Sequence, residues 1–139
     1  MSVFTEDVGR FLRPYETQSM KEAYRQRKLK AGLGKDDYVR SEFFGLNQVM
    51  QLLGQPGCVG LRVHQAKRWE DQDGNPTQEG QGHLVPRVLL TGVDAQGNDM
   101  PIQADNAGLK DMPQDVGGEV QALGDGFTCP QHCPPPTQT

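Results

Sequence analysis

The sequence predicts an α+β fold, with N-terminal helices packed on a three- to four-stranded antiparallel sheet and an irregular, Pro-rich C-terminal tail. Three observations carry this expectation. Apolar residues recur at helical spacing up to Leu53. The period then changes to two, the mark of strands with one covered face. Seventeen glycines and ten prolines among 139 residues argue for many turns and against an all-helical bundle. That length suits one domain. The expected division is a single α+β domain over 1–127, with helices within 3–54 and strands within 58–104, then a Cys/Pro-rich tail over 128–139.

Residues 3–31 read as helical. Thr5 caps the first turn, with Glu6 and Asp7 set against the positive end of the helix dipole. Val8, Phe11, Leu12 and Tyr15 form one apolar stripe, and Pro14 kinks or breaks the helix. A second piece runs from Ser19 to Lys30 and ends at Gly32 and Gly34. Ser41, with Glu42 beside it, caps the next helix. Phe43, Leu46, Met50 and Leu53 line one face of it, Phe44, Val49 and Leu52 widen that face, and Gly54-Gln55-Pro56-Gly57 stops it.

Val59, Leu61 and Val63 then alternate with Gly60, Arg62 and His64, a strand buried on one side. Residues 70–83 are polar and form a long hairpin loop. Leu84 to Val93 is the second strand, with Pro86 near its start, where an edge strand tolerates it. Residues 94–99 make a turn, Met100 to Gln103 a short third strand, and Asp105 to Asp125 an irregular stretch.

Hydrophobic residues make up 35% of the chain, near the ordinary share once glycine is added, which implies a folded centre with loosely structured flanks. A net charge of −4 steers nothing toward nucleic acid or anionic lipid. The run Lys21, Arg25, Arg27, Lys28, Lys30 is locally basic, but a solvated helix face explains it better than phosphate contacts. No apolar run is long enough for a membrane span. The acidic start, Thr5-Glu6-Asp7, lacks the layout of a secretory signal, which points to the cytoplasm. There, three cysteines are free thiols, metal ligands or redox groups more often than structural disulfides.

Three segments occur in a particular order: Gln55-Pro56-Gly57-Cys58-Val59-Gly60-Leu61-Arg62, then Val88 to Asp99 with its Gly92-Val93-Asp94-Ala95-Gln96-Gly97-Asn98-Asp99 turn, then the tail Cys129-Pro130-Gln131-His132-Cys133-Pro134-Pro135. Together, across roughly 41–136, they resemble a family of small, functionally uncharacterised bacterial proteins. The resemblance implies an architecture and a recurring cysteine pattern, not a reaction. The insert at 70–83 is longer than that pattern requires.

The tail is the strongest chemical candidate. Cys58, Cys129 and Cys133 supply three soft ligands, with His132 as the fourth and His64 or His83 as alternatives, a set that suits tetrahedral zinc. The pair is spaced by three, however, with Pro130 inside it, and the adjacent His132 and Cys133 side chains diverge. A reversible disulfide, between Cys129 and Cys133 or between either and Cys58, is a second reading. Thiols that simply pack are the third, and this suits Cys58 best. Cys58 and His64 on one strand lie about 20 Å apart and form no couple. Residues 71–79 carry oxygens at alternate positions but misplace the glycine and glutamate of a calcium loop. Trp69 reads as a lid over the end of the core, or as a partner-binding anchor. The Pro-rich tail itself suits docking in an aromatic-lined groove.

Two functions follow. One is a non-enzymatic protein–protein interaction or assembly module, with a protein partner or self-association and without a membrane. The alternative is a metal-binding, zinc-like or thiol-redox protein that uses the C-terminal cysteines. An enzyme ranks third, because no base, nucleophile and orienting group fall together.

Overall fold

A computed structural model describes residues 2–102 and 120–135. The architecture is α+β, in the order α1 (Pro14–Lys30), β1 (Ser41–Phe43), α2 (Leu46–Leu53), β2 (Cys58–Glu70), β3 (His83–Asp94), β4 (Asp99–Met100) and β5 (Phe127–Cys129). The expected end of the third strand at Gln103 and most of the 105–125 stretch lie outside the described residues. Among those residues no helix is long and apolar enough to cross a membrane. The chain divides into two compact units. The sheet unit comprises Met1–Asp7 and Phe44–Gly126; the tail unit comprises Val8–Phe43 and Phe127–Thr139.

In the sheet unit, β2, β3 and β4 form an antiparallel sheet in that order. The β2–β3 ladder runs from Cys58↔Asp94 to Glu70↔His83, with one irregularity between Cys58 and Gly60. Both strands outrun the predicted limits. Pro86 lies within β3, beyond the reach of β4, which pairs only with Gly92 and Val93. Its missing N–H therefore falls where β3 has a single partner strand. The polar loop between the strands is as expected. Asp71 Oδ1 accepts the backbone N–H groups of Asp73 and Asn75 at 2.9 and 3.0 Å, closing the turn.

The covered face of β2 is not the apolar one. Arg62, His64, Ala66, Arg68 and Glu70 are half-buried or buried, whereas Leu61 and Val63 are 41% and 52% exposed. Ion pairing makes this possible. Glu70, 2% exposed, receives Arg87 through Nε at 2.6 Å and Nη2 at 3.1 Å, and Arg68 Nε at 2.9 Å. Arg68 also pairs with Asp125, and Arg87 donates to the Gly126 carbonyl at 2.8 Å. Leu123 adds a two-way backbone bridge to Leu90. Residues 123–126 are thereby fastened along β3. Burial by itself would raise the Glu70 carboxyl, but the bonds from Arg87 and then Arg68 outweigh it and hold the group below its usual 4.5.

Helix α2 packs on β2 and β3. Gly45 rather than Ser41 stands at its N-cap. Ser41 and Glu42 are strand residues, because pairing with β5 overrides the local capping signal. The face turned inward carries Leu52, not the expected Leu46, Met50 and Leu53, which are exposed. Closeness at the helix end depends on Gly92. A Cβ there would sit 3.0 Å from the Leu52 carbonyl oxygen and 3.2 Å from both Cys58 Sγ and Gln55 Nε2. Leu52, Leu90, Val93 and Met100 form the apolar core of the unit. Residues 2–7 are not helical but lie against the 94–99 turn. Ser2 donates to the Ala95 carbonyl, and the Phe4 ring packs over Arg62 at 5.8 Å.

In the tail unit, helix α1 begins where the sequence reading had a kink. Pro14 occupies the first turn, where its missing N–H is harmless, and Glu16 accepts the Arg13 N–H at 2.8 Å. Residues 8–13 are not helical, and Gly9 has φ +101. The helix ends as predicted. Gly32, at φ +86, allows Leu33 N–H to reach the Lys28 carbonyl at 3.0 Å. Lys28, expected as a solvated charge, lies over the Tyr24 and Tyr38 rings at 5.4 and 5.6 Å. Strands β1 and β5 pair antiparallel through Ser41↔Cys129, Glu42↔Thr128 and Phe43↔Phe127.

Gly92→Ala is expected to destabilise the protein by about 1–3 kcal/mol, since the new methyl meets backbone and buried side chains; urea denaturation followed by circular dichroism measures this. Glu70→Gln is expected to cost about 3 kcal/mol, because two guanidinium groups lose their buried carboxylate. The pH dependence has a definite sign. The folded carboxyl titrates below the unfolded one, so its contribution is complete above the usual 4.5 and is lost as pH falls from there through the lower folded value. Melting temperatures of parent and Glu70→Gln should converge over that acidic window.

Candidate functional site

The four residues expected at a soft-metal site are distributed between the two units. Cys129, His132 and Cys133 belong to the tail unit, and Cys58 to the sheet unit. Cys129 and Cys133 are joined by a disulfide with Cα atoms 4.6 Å apart. This is one of the pairings the sequence left open. In this state neither sulfur is a thiolate ligand. The His132 ring stacks on Phe127, centroids 4.5 Å apart at 25°, and the backbone N–H of His132 donates to the Thr128 carbonyl at 2.7 Å. Cys58 is half-buried at the start of β2, and its thiol donates to the Gly60 carbonyl at 3.3 Å. Among the described residues, no three or more His, Cys, Asp or Glu side chains are grouped to hold a metal ion.

The two disulfide sulfurs have different surroundings. Cys129 ends β5, is 3% exposed, and its carbonyl accepts the Arg40 N–H at 2.7 Å. Cys133 is exposed, and Arg40 Nη2 lies 3.3 Å from its Sγ. Arg40 has no carboxylate partner among the described residues, and its buried Nε has no hydrogen-bond partner. Among the described residues the guanidinium charge is thus directed at sulfur, with no acid to neutralise it. No spacing rule pointed to Arg40. It reaches the tail through β1–β5 pairing, which a single chain read in order does not display.

A second polar cluster lies on the covered face of the sheet. His64 Nε2 is 3.1 Å from Thr91 Oγ1 and 3.2 Å from Asp99 Oδ2, and Asp99 Oδ1 accepts Arg62 Nη1 at 2.6 Å. The residue types suggest a nucleophile–base–acid relay, but the geometry does not support one. In such a relay the carboxylate holds Nδ1 and leaves Nε2 for the hydroxyl proton. Here both partners meet the same nitrogen, and Thr91 is 2% exposed, out of reach of a substrate. The cluster ties β2, β3 and β4 together. His64 has no contact with Cys58, as the strand spacing requires.

The Asp71 loop also keeps its oxygens for itself. The backbone N–H of Asn75 is the largest influence holding the Asp71 carboxyl below its usual range, and the N–H of Asp73 adds to it. Among comparisons with known proteins, no family model, no curated protein and no solved structure matches this chain.

Reducing the disulfide is expected to loosen the tail unit selectively. A loop this short contributes about 2 kcal/mol by chain entropy. Hydrogen exchange of the β1 and β5 amides should accelerate in reductant while the amides of the β2–β3 ladder keep their protection, and equal acceleration in both would contradict the division into units.

Proposed function

We propose that this protein is a non-enzymatic assembly module that self-associates through its sheet unit, with a second copy of the chain as partner. The observation that carries this is the edge strand β2, thirteen residues long, whose Leu61 and Val63 point their apolar side chains to solvent. Natural proteins usually shorten, bend or charge such an edge, since it is a template for another strand. Between Cys58 and Val63 the sole charge is Arg62, and Asp99 already neutralises it. The same unit exposes Leu46 and Met50 at 74% and 57%.

A second copy suits this surface. Antiparallel pairing of two identical edges is isologous, so every contact from one copy to the other is repeated in reverse about a two-fold axis. Fully burying a Val or Leu side chain contributes about 1.5–3 kcal/mol, so covering the exposed halves of Leu61 and Val63 in both copies, together with the new strand hydrogen bonds, offsets the cost of association. Sedimentation velocity on the full chain is expected to show a dimer. Val63→Lys should convert it to a folded monomer with an unchanged circular-dichroism spectrum, because the side chain is exposed in the single chain. A parent that stays monomeric at every concentration overturns the reading, and so does a Val63→Lys variant that still dimerises.

A further inference from the structure

The Cys129–Cys133 bridge carries an inference independent of self-association, since it concerns the other unit and stands even if the dimer fails. We propose that it is a thiol–disulfide exchange centre, with Cys133 as the reacting sulfur, Cys129 as the resolving sulfur, and an accessible disulfide as substrate. Three structural features converge on this assignment. The two sulfurs already form a bond, so they meet without rearrangement. One is exposed and the other is 3% exposed, which gives an incoming reagent a single point of attack. The exposed sulfur alone is contacted by a guanidinium, at 3.3 Å, which no acid neutralises among the described residues.

Thiolate is the nucleophile in such exchange, and a neighbouring cation favours it over thiol. In the reduced protein, Cys133 thiolate beside Arg40 attacks one sulfur of a substrate R–S–S–R. A Cys133–S–S–R bond forms, the substrate S–S bond breaks, and one RS⁻ departs. Cys129 then gives up its proton, and its thiolate attacks Cys133 Sγ. The internal bond re-forms, and the second RS⁻ leaves. The proton surrendered by Cys129 and one from solvent convert the two RS⁻ to RSH. The dithiol has lost two electrons and the substrate disulfide has gained them. In the reverse direction an external thiolate attacks the exposed Cys133, and Cys129 is the leaving sulfur. Pairing of β5 with β1 holds Cys129 in place throughout, through the Ser41↔Cys129 register and the Arg40 N–H on its carbonyl.

The test uses the full chain, reduced and freed of reductant. A short native pulse of iodoacetamide at neutral pH, mapped by mass spectrometry, is expected to label Cys133 about tenfold faster than Cys129, with the difference abolished in denaturant. This measurement needs no substitution. Oxidised glutathione should then restore the internal disulfide in the parent, while Cys129→Ser accumulates a stable glutathione adduct on Cys133. Arg40→Gln should slow Cys133 labelling about threefold or more, and Arg40→Lys should restore most of the rate. Equal labelling of the two sulfurs in the native pulse overturns the proposal. So does an adduct carried by Cys129, or a parent that retains its glutathione adduct instead of resolving it.

Discussion

The long antiparallel ladder between β2 and β3 is the constraint on which the sheet unit depends. It fixes which side chains share a face, and one face collects Arg62, His64, Arg68, Glu70, Arg87 and Thr91. A slip of one position would put the β2 members on the opposite side from Arg87 and Thr91. With this register Glu70 lies between two guanidinium groups, His64 lies between Thr91 and Asp99, and Leu61 and Val63 are left outside. The polar cluster on this face and the exposure of Leu61 and Val63 on the other are two results of the same pairing.

A charged face is costly to cover unless each charge finds a partner. The pairs here are bonded closely enough to meet that condition, and they do more than neutralise. Arg87 and Arg68 reach past Glu70 to Gly126 and Asp125, so the segment after Leu123 is held by the groups that stabilise the buried carboxylate. Position 92 complements this from the other side of the sheet. Only a hydrogen at that α-carbon lets the end of α2 come as close as it does.

Much of the fold was legible in the sequence. The α+β class, the strands around 58–64 and 84–93, the polar 71–82 loop and the glycine end of α1 follow from local chemistry, and local chemistry decides them. Most of the errors come from pairing with distant segments. Ser41-Glu42 before an apolar run carries a capping signature, yet it pairs with a strand far along the chain. Residues 8–13 have the spacing of a helix, yet Pro14 fits the first turn better than the middle, and the helix starts there. Alternation in β2 identified a strand without revealing which side would be covered, since that depends on Arg87, contributed by β3. The cysteine pair was visible as a candidate, but its bond and its arginine neighbour depend on the same distant strand.

The β1–β5 pairing joins segments that flank Phe44–Gly126 in the chain, which makes that part of the sheet unit an insertion within the tail unit's sequence. This has a consequence for biosynthesis. A ribosome releases β1 early and β5 only after the hairpin has emerged, so the hairpin, whose contacts are closer in sequence, has the head start. Oxidation of Cys129 and Cys133 then follows the emergence of the hairpin, and the redox state of the surroundings at that moment sets whether the segment after β5 is closed into a loop.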